Sequence, residues 1–455
     1  MNIRKYTSYY KEIGKLALPL FIGQLGTIAL AFADNIMVGY YSTEALASAS
    51  FVNNFFNLAI FACVGFTYGL TPLLGALFSR GEGDRIGALT RTGMRVNIIF
   101  SVILSALMLG VYFFLDAFGQ PEELMPLIRP YYLIVLAGII PVVVFNVLAQ
   151  WSYAIGNTST PTWIVLVCNA LNVLGNYVLI YGHFGFPEMG LLGAGISTLV
   201  SRVLTAVVMM LVFFRFAAGA PYRAGFRKGE YRKGDVAVVV RTGFPVSMQM
   251  FFETASFSGS AIIAGWLGAI ELAAFQIIAI SGMLGFCLYY SIGAAMAIPL
   301  SHAQGRGDNK GMRRTALAGY HLILICMLCS CSIFLFGGRL IMGLFTPDHA
   351  VLAMALSVLV PLVLYQAGDA TQITFANALR GTTHVMPMLW IAFVSYMLVG
   401  LPLTYLMAIP FGLGLYGIVL SFSVCLMLAG ALYLLFFLRA TRQRKHFSEK
   451  CCAGA

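Results

Sequence analysis

"LALPLFIGQ" (Leu16–Gln24) and, in the second half of the chain, "RTGFPVSMQ" (Arg241–Gln249) each carry a proline inside an apolar run, Pro19 and Pro245. A repeat at fixed offset is the first thing to seek in a chain of 455 residues. At the offset that joins the two prolines, "EALASA" (Glu44–Ala49) meets "IELAAF" (Ile270–Phe275). After a short slip "RGEGDR" (Arg80–Arg85) meets "QGRGDN" (Gln304–Asn309). Further on, "AIGNTSTP", ending at Pro161, answers "ALRGTTHVMP", ending at Pro387, and "GLLGAGI" (Gly190–Ile196) answers "GLGLYGI" (Gly412–Ile418). Five matches in order describe a chain made of two copies of one unit.

The chain around these anchors is 60% hydrophobic and 10% charged, against about 25% charged residues in soluble domains. Apolar runs of roughly 20 residues read as membrane-spanning helices. Twelve are expected, at 14–38, 50–78, 93–115, 130–155, 161–183, 191–214, 240–265, 272–300, 316–337, 350–378, 386–408 and 414–438. The expected fold is therefore an all-α polytopic membrane protein. Its 12 transmembrane helices form two pseudo-symmetric six-helix bundles facing a central cavity. The expected division is an N-terminal bundle at 1–214, a cytoplasmic linker at 215–239, a C-terminal bundle at 240–438 and a basic tail at 439–455. The small residues of "ALASAS" (Ala45–Ser50) resemble a signal-peptidase site, but the preceding apolar run is too long for a signal h-region. The first span is expected to be kept.

Six spans per copy is an even number, so both copies take one orientation, related by a pseudo-two-fold axis along the membrane normal. Of 28 Lys and Arg, 25 fall in the segments on the side of the N-terminus, with Arg380 counted in a short connection there. Arg129 and Arg339 fall opposite, and Arg202 lies within a span. That asymmetry is the positive-inside rule and puts both termini in the cytoplasm. The formal charge of +11 thus orients the chain and gives no reason to invoke nucleic acid. Seven of nine cysteines lie in spans, and Cys326, Cys329 and Cys331 have no histidine or carboxylate nearby. Neither a disulfide framework nor a structural metal site is expected.

Of 17 acidic residues, only Asp34, Glu253 and Asp369 lie well inside expected spans. Glu253, in "FPVSMQMFFETASF", has Gln249 one turn before it and Ser256 nearly one turn after. Asp369, in "VLYQAGDATQITFANALRG", has Tyr365 at i−4 and Gln372 at i+3. These spacings put each polar set on one helix face. Asn172 and Asn176, in "VCNALNVLGNYVLIYG", are one turn apart, and Thr198 follows in the sixth span. With Asp34 they form a second polar group. Asn53, Asn54 and Asn57 line a cavity or pack, with no preference between the two. Each acid could instead be satisfied by a hydrogen bond or by an arginine, Arg202 being the candidate within the membrane, and so serve packing alone. Asparagines likewise bridge helices. Against this, intramembrane acids mark ion and proton pathways. A carboxyl taken out of water holds a proton more tightly, and a second carboxyl nearby adds to the effect. A proton or Na⁺ bound at such a pair competes with a cationic substrate, and competition with alternating access gives antiport.

The chain resembles the multidrug and toxic compound extrusion (MATE) transporters from end to end. The motifs are "LALPLFIGQL", "ADNIMVGY", "TPLLGALFSRGEGD", "NALNVLGNYVLIYG", "GLLGAGISTLVSR", "FPVSMQMFFETASF" and "ANALRG". The pair Glu253 and Asp369 is similar to the NorM-type branch. The resemblance implies a V-shaped pair of bundles that exports organic cations in exchange for Na⁺ or H⁺. It implies that Glu253 and Asp369 form the C-lobe cation or proton site, with Na⁺ the metal it would take, and that Tyr365 and Phe286 are aromatic cation contacts, with Gln249 beside them. Asp34, Asn172, Asn176 and Thr198 match the N-lobe polar site. Some relatives carry an aspartate where Asn176 stands, so the N-lobe here holds one formal charge fewer.

The resemblance further implies no cofactor beyond the coupling ion, small cationic drugs or toxins as substrates, membrane lipid as surroundings, and a monomer in the bacterial cytoplasmic (inner) membrane. No Walker-type glycine loop suggests ATP. A lipid-linked saccharide flippase of the same superfamily is the alternative, and would be expected to have a more basic cavity. A channel would show charged rings or filter loops. An intramembrane enzyme is a different class, and none of the six histidines pairs with an acid at metal-binding spacing to suggest one.

Overall fold

The computed structural model describes residues 6–216 and 219–442, and these are almost entirely helical. Most of the expected basic tail, with Cys451 and Cys452, lies outside them, as do residues 217–218 of the linker. In the first half the chain runs through α1 (Thr7–Tyr41), α2 (Thr43–Tyr68), α3 (Leu70–Ser79), α4 (Gly83–Tyr112), α5 (Met125–Ala137), α6 (Ile139–Ala154), α7 (Ser159–Tyr181) and α8 (Gly190–Arg215). A short helix, α9 (Ala220–Lys228), occupies the linker. The second half has α10 (Asp235–Leu267), α11 (Ala269–Gly305), α12 (Asn309–Gly343), α13 (His349–Ser357) and α14 (Leu359–Gly381). After α15 (Met386–Ala392) a π-helical stretch over Phe393–Gly400 leads into α16 (Leu401–Ala408), and α17 (Gly414–Arg442) follows.

Among the described residues, ten helical stretches are long and apolar enough to cross a membrane, and the pair α13–α14, bent by 53°, makes an eleventh. The seventh expected span, α10, is one helix of 33 residues. Its glutamate, its glutamine and its many serines leave it too polar to join them, so twelve is the count of passes expected from sequence and not the count of apolar helices. The chain is a multi-pass membrane protein.

The repeat survives in local geometry. The slip assumed between "RGEGDR" and "QGRGDN" is not needed: at the offset of the two prolines Gly81 meets Gly307, and both take positive φ, 75° and 73°. That left-handed turn is open to glycine without a Cβ clash, and it reverses the chain before α4 and before α12. In the second copy Asp308 caps α12 by accepting from the Gly311 N–H at 2.8 Å. Ser42 caps α2 in the same manner, accepting from Ala45 N–H at 3.1 Å.

Two compact units emerge: unit 1 contains residues 1–21 and 248–455, unit 2 residues 22–247. The division falls inside α1 and α10, just beyond Pro19 and Pro245, and not in the linker at 215–239. A proline in a helix removes one backbone hydrogen bond and favours a kink. In unit 1 the opening turns of α1 are held by Tyr10, whose hydroxyl lies 2.9 Å from Nδ1 of His321, and by Tyr6, edge-on to the same imidazole at 5.6 Å. In unit 2 the opening turns of α10 are held by Ser247 Oγ, which donates to the Ala62 carbonyl at 2.7 Å, and by a two-pronged Arg85–Asp235 ion pair. The linker helix belongs to unit 2, where Arg91 donates to the carbonyls of Arg227 and Gly229 at 3.1 and 2.6 Å.

Candidate functional site

Within unit 1, α14 packs most extensively on α17. Glycines make the approach close: a Cβ on Gly368 would meet Ser423 O at 3.3 Å, and one on Gly430 would meet Gln372 N at 3.1 Å. Small residues at such contacts are how helices associate tightly in lipid. The close fit pulls the next residue, Asp369, inside, where it is 2% exposed with Oδ2 unpartnered. Glu253 on α10 accepts a hydrogen bond from Gln249 Nε2 at 2.7 Å. This is the i→i+4 contact that the spacing predicts. Glu253 and Asp369 lie within electrostatic reach of one another. The two carboxylates expected to act together are therefore brought together.

Their surroundings are aromatic and amide-rich. Tyr365 stands edge-on to Phe257 and Phe422, at 6.5 and 6.3 Å between centroids, and feels the charge of both acids. Phe286 stacks on Tyr290 at 5.4 Å and packs in the cluster that contains Ala370, the neighbour of Asp369. Gln366 and Gln372 on α14 are buried, and Oε1 of each is unpartnered, as is that of Gln249. Ser256 is buried near Glu253 in sequence yet makes no hydrogen bond to it.

Two members of this site escape sequence reading. Arg380, counted above with the cytoplasmic connections, is 6% exposed in the last turn of α14 and acts electrostatically on Glu253. The arginine that acts on Glu253 is thus Arg380 and not Arg202, the candidate within the membrane. Helical spacing hides the approach, because Arg380 reaches Glu253 across helices and not along one. The second is Tyr396, fully buried with its hydroxyl unpartnered, and coupled electrostatically to Glu253 and Asp369. It stands on the π-helical stretch, which widens the helical turn and re-aims the side chains it carries. The corresponding helix of the first half, α7, has no such stretch.

Unit 2 holds the second polar group as one chain of hydrogen bonds. Asn176 Nδ2 donates to Asp34 Oδ1 at 2.5 Å and to Asn172 Oδ1 at 3.4 Å. Asn172 Nδ2 donates to Thr198 Oγ1 at 3.3 Å. Gly175 lets α8 lie against α7 here, since a Cβ would collide with Ser197. Ser197 Oγ and Ser201 Oγ donate to the α7 carbonyls of Asn172 and Cys168, each at 2.9 Å. Asn53 turns toward Tyr131 in the same unit, whereas Asn54 and Asn57 are exposed. Arg202 is within electrostatic reach of Asp34, and among the described residues no carboxylate comes within 4.0 Å of it. It therefore does not close an ion pair with any of the three intramembrane acids. Among those residues there is also no cluster of three or more His, Cys, Asp or Glu side chains suited to a metal. A cation at Glu253 and Asp369 would complete its shell with neutral amide, hydroxyl or carbonyl oxygens.

Comparison with known proteins bears on the whole chain. "Probable multidrug resistance protein NorM" of Xanthomonas axonopodis pv. citri (strain 306) is 30% identical over 400 residues, 88% of this chain and 87% of that protein. The protein of the same name from Geobacillus kaustophilus (strain HTA426) is 28% identical over 98% of each chain. A solved eukaryotic MATE transporter superposes with a TM-score of 0.85 at 19% identity, over 96% of this chain and 98% of its own. The outward-facing conformation of a multidrug resistance MATE family transporter of the MOP superfamily gives 0.85 at 18% identity, over 95% and 96%. At such identity these structures show the shared fold. The MatE family model matches residues 19–178 and 245–406, beginning in both halves at the prolines of the repeat. The chain belongs to the MatE family, and the two curated relatives above carry the NorM name.

Proposed function

We infer that this protein is a secondary active exporter of organic cations and amphipathic drugs, driven by exchange for Na⁺ or H⁺, in the cytoplasmic membrane of a bacterium. The observation that carries the reading is the buried pair Glu253 and Asp369, with Arg380 as the one basic side chain among the described residues that acts on Glu253. Two carboxylates against one arginine leave a net negative charge in a medium that solvates charge poorly, and a cation or a proton relieves it. The names of the relatives, both multidrug resistance proteins, support the substrate class.

Each group has a stated task. Asp369 presents an unpartnered oxygen to the incoming ion, and Glu253 supplies the second charge, oriented by Gln249. Tyr365 and Phe286 offer faces that attract a desolvated cation, worth roughly 2 kcal/mol when water is excluded. The coupling ion and the drug cation compete for the same charge, so occupancy by one releases the other. With access alternating between the two sides, the gradient of the ion drives the drug outward; one elementary charge crossing 100 mV supplies about 2.3 kcal/mol.

The test is dye efflux from proteoliposomes with the Na⁺ and H⁺ gradients imposed separately. One gradient is expected to drive efflux, and Glu253→Gln or Asp369→Asn to lower it at least tenfold at unchanged protein incorporation. Unimpaired gradient-driven efflux in both variants would end this reading.

A further inference from the structure

The linker folds into a cleft that the scheme above does not use. Helix α9 packs chiefly on α4, and the two helices with the residues after α9 enclose a cavity of about 400 Å³ inside unit 2. Ligand clefts begin at about 300 Å³. The lining is alanine and glycine apart from five charged residues, Asp84, Arg85, Lys228, Glu230 and Arg232. Not all of that charge is available. Arg85 is held by Asp235 in the two-pronged ion pair, and Arg91 nearby is engaged by the carbonyls of Arg227 and Gly229. Lys228 and Arg232 are exposed and in no ion pair among the described residues, and the same holds for Asp84 and Glu230. Two cations and two acids thus stand uncommitted around one cavity. A simple anion would satisfy the cations and face the acids; a ligand carrying both signs satisfies all four.

An apolar face continues from this cleft. The Arg85–Asp235 pair fixes the first turn of α10 beside it. Val236, Val240 and Phe244 follow at steps of four, all exposed, and so share one side of α10. Tyr231, next to Arg232, is exposed as well, and tyrosine settles at the level of lipid headgroups. Paired charges at a cleft with an apolar face running on from it match the two halves of a phospholipid. Basic pockets at the ends of membrane helices are a known form of headgroup site; this one differs in carrying acids as well.

We propose that the cleft between α4, α9 and the start of α10 binds a phospholipid whose zwitterionic headgroup ends in a primary ammonium, phosphatidylethanolamine. Its phosphate accepts from Lys228 and Arg232, its ammonium donates to Asp84 and Glu230, and an acyl chain lies along Val236, Val240 and Phe244. Phosphatidylcholine offers the same phosphate, but its quaternary nitrogen donates no hydrogen bond to the acids. Phosphatidylglycerol offers them no cation at all. The orientation expected from the charge asymmetry puts the site in the cytoplasmic leaflet. The lipid is a bound partner and not cargo, so the site is independent of the coupling ion and of the drug.

The test titrates the purified full-length protein in detergent with these three lipids, matched in their acyl chains, and reads bound lipid by native mass spectrometry. The wild-type protein is expected to bind phosphatidylethanolamine about fivefold or more tightly than either other lipid. Lys228→Gln with Arg232→Gln is expected to weaken phosphatidylethanolamine about tenfold, the effect of losing a charge-assisted hydrogen bond. Asp84→Asn with Glu230→Gln should abolish the preference over phosphatidylcholine while changing phosphatidylcholine itself less than about twofold. Should a double variant fail to fold, Arg232→Gln and Glu230→Gln singly carry the same comparison. Tighter binding of phosphatidylglycerol, no preference among the three, or a preference that survives both charge changes overturns the proposal. Glycerophosphoethanolamine, the headgroup without chains, is expected not to compete at the same concentration. Equal competition would make the occupant a soluble phosphate and overturn the lipid assignment.

Discussion

Arg380 ends α14 at the point where a solvated helix terminus is expected, yet it is buried and its charge reaches Glu253. Removing one member of a buried charged group leaves the others uncompensated. Arg380→Gln and Glu253→Gln should therefore each change thermal stability, and the double variant should be less destabilised than the sum of the two. A coupling energy of about 0.5–3 kcal/mol is expected from a thermal-unfolding cycle; additive effects would show that the two charges do not interact. The site residues on single helices, Glu253 with Gln249 and Asn172 with Asn176, were legible because i, i+4 spacing is written in the sequence. Arg380 and Tyr396 were not, because their relation to Glu253 exists only across helices.

At the scale of elements, the linker is more ordered than its basic composition suggests. Its helix α9 lies along the start of α4, backbone against backbone, and glycines permit it. A Cβ on Gly225 would overlap the carbonyl of Asp84, and one on Gly87 the carbonyl of Tyr222. Beside this contact Asp84, Arg85, Lys228, Glu230 and Arg232 contribute to the lining of a cavity of about 400 Å³. Gly225→Ala is expected to cost about 1–3 kcal/mol, the range for overpacking. It should lower the midpoint of thermal unfolding in detergent, whereas Glu230→Ala, at the cavity rim, should not. An unchanged midpoint in Gly225→Ala would mean that α9 shifts freely. The broken fourth pass and the π-helical stretch were equally invisible beforehand. Apolar content reports that a segment can cross lipid and says nothing about where its hydrogen-bond register slips.

For the molecule as a whole, one offset recurs. The step from Pro19 to Pro245 is also the step from the left-handed Gly81 to Gly307, and from the unit division after 21 to the one after 247. Each unit is completed by part of a helix whose remainder lies in the other. The charge asymmetry gives the orientation a direct test. In a cysteine-free background, Glu123→Cys should react with an impermeant maleimide in intact cells, and Arg306→Cys only after permeabilisation. The reverse pattern would invert the topology.

By itself the sequence determined the membrane class, the two copies, the family and the identity of the acids, because apolar run length, repeat offset and helical spacing are one-dimensional quantities. Only the tertiary structure decided which polar groups meet. It joined Glu253 to Asp369 and Arg380, ran a hydrogen-bonded chain from Asp34 to Thr198, and left Arg202 beside it without a carboxylate partner among the described residues. It also set the boundaries of the two compact units within α1 and α10. Electrostatic and hydrogen-bond contacts depend on distances between helices, and those are set by glycine-lined packing surfaces that a linear reading cannot pair.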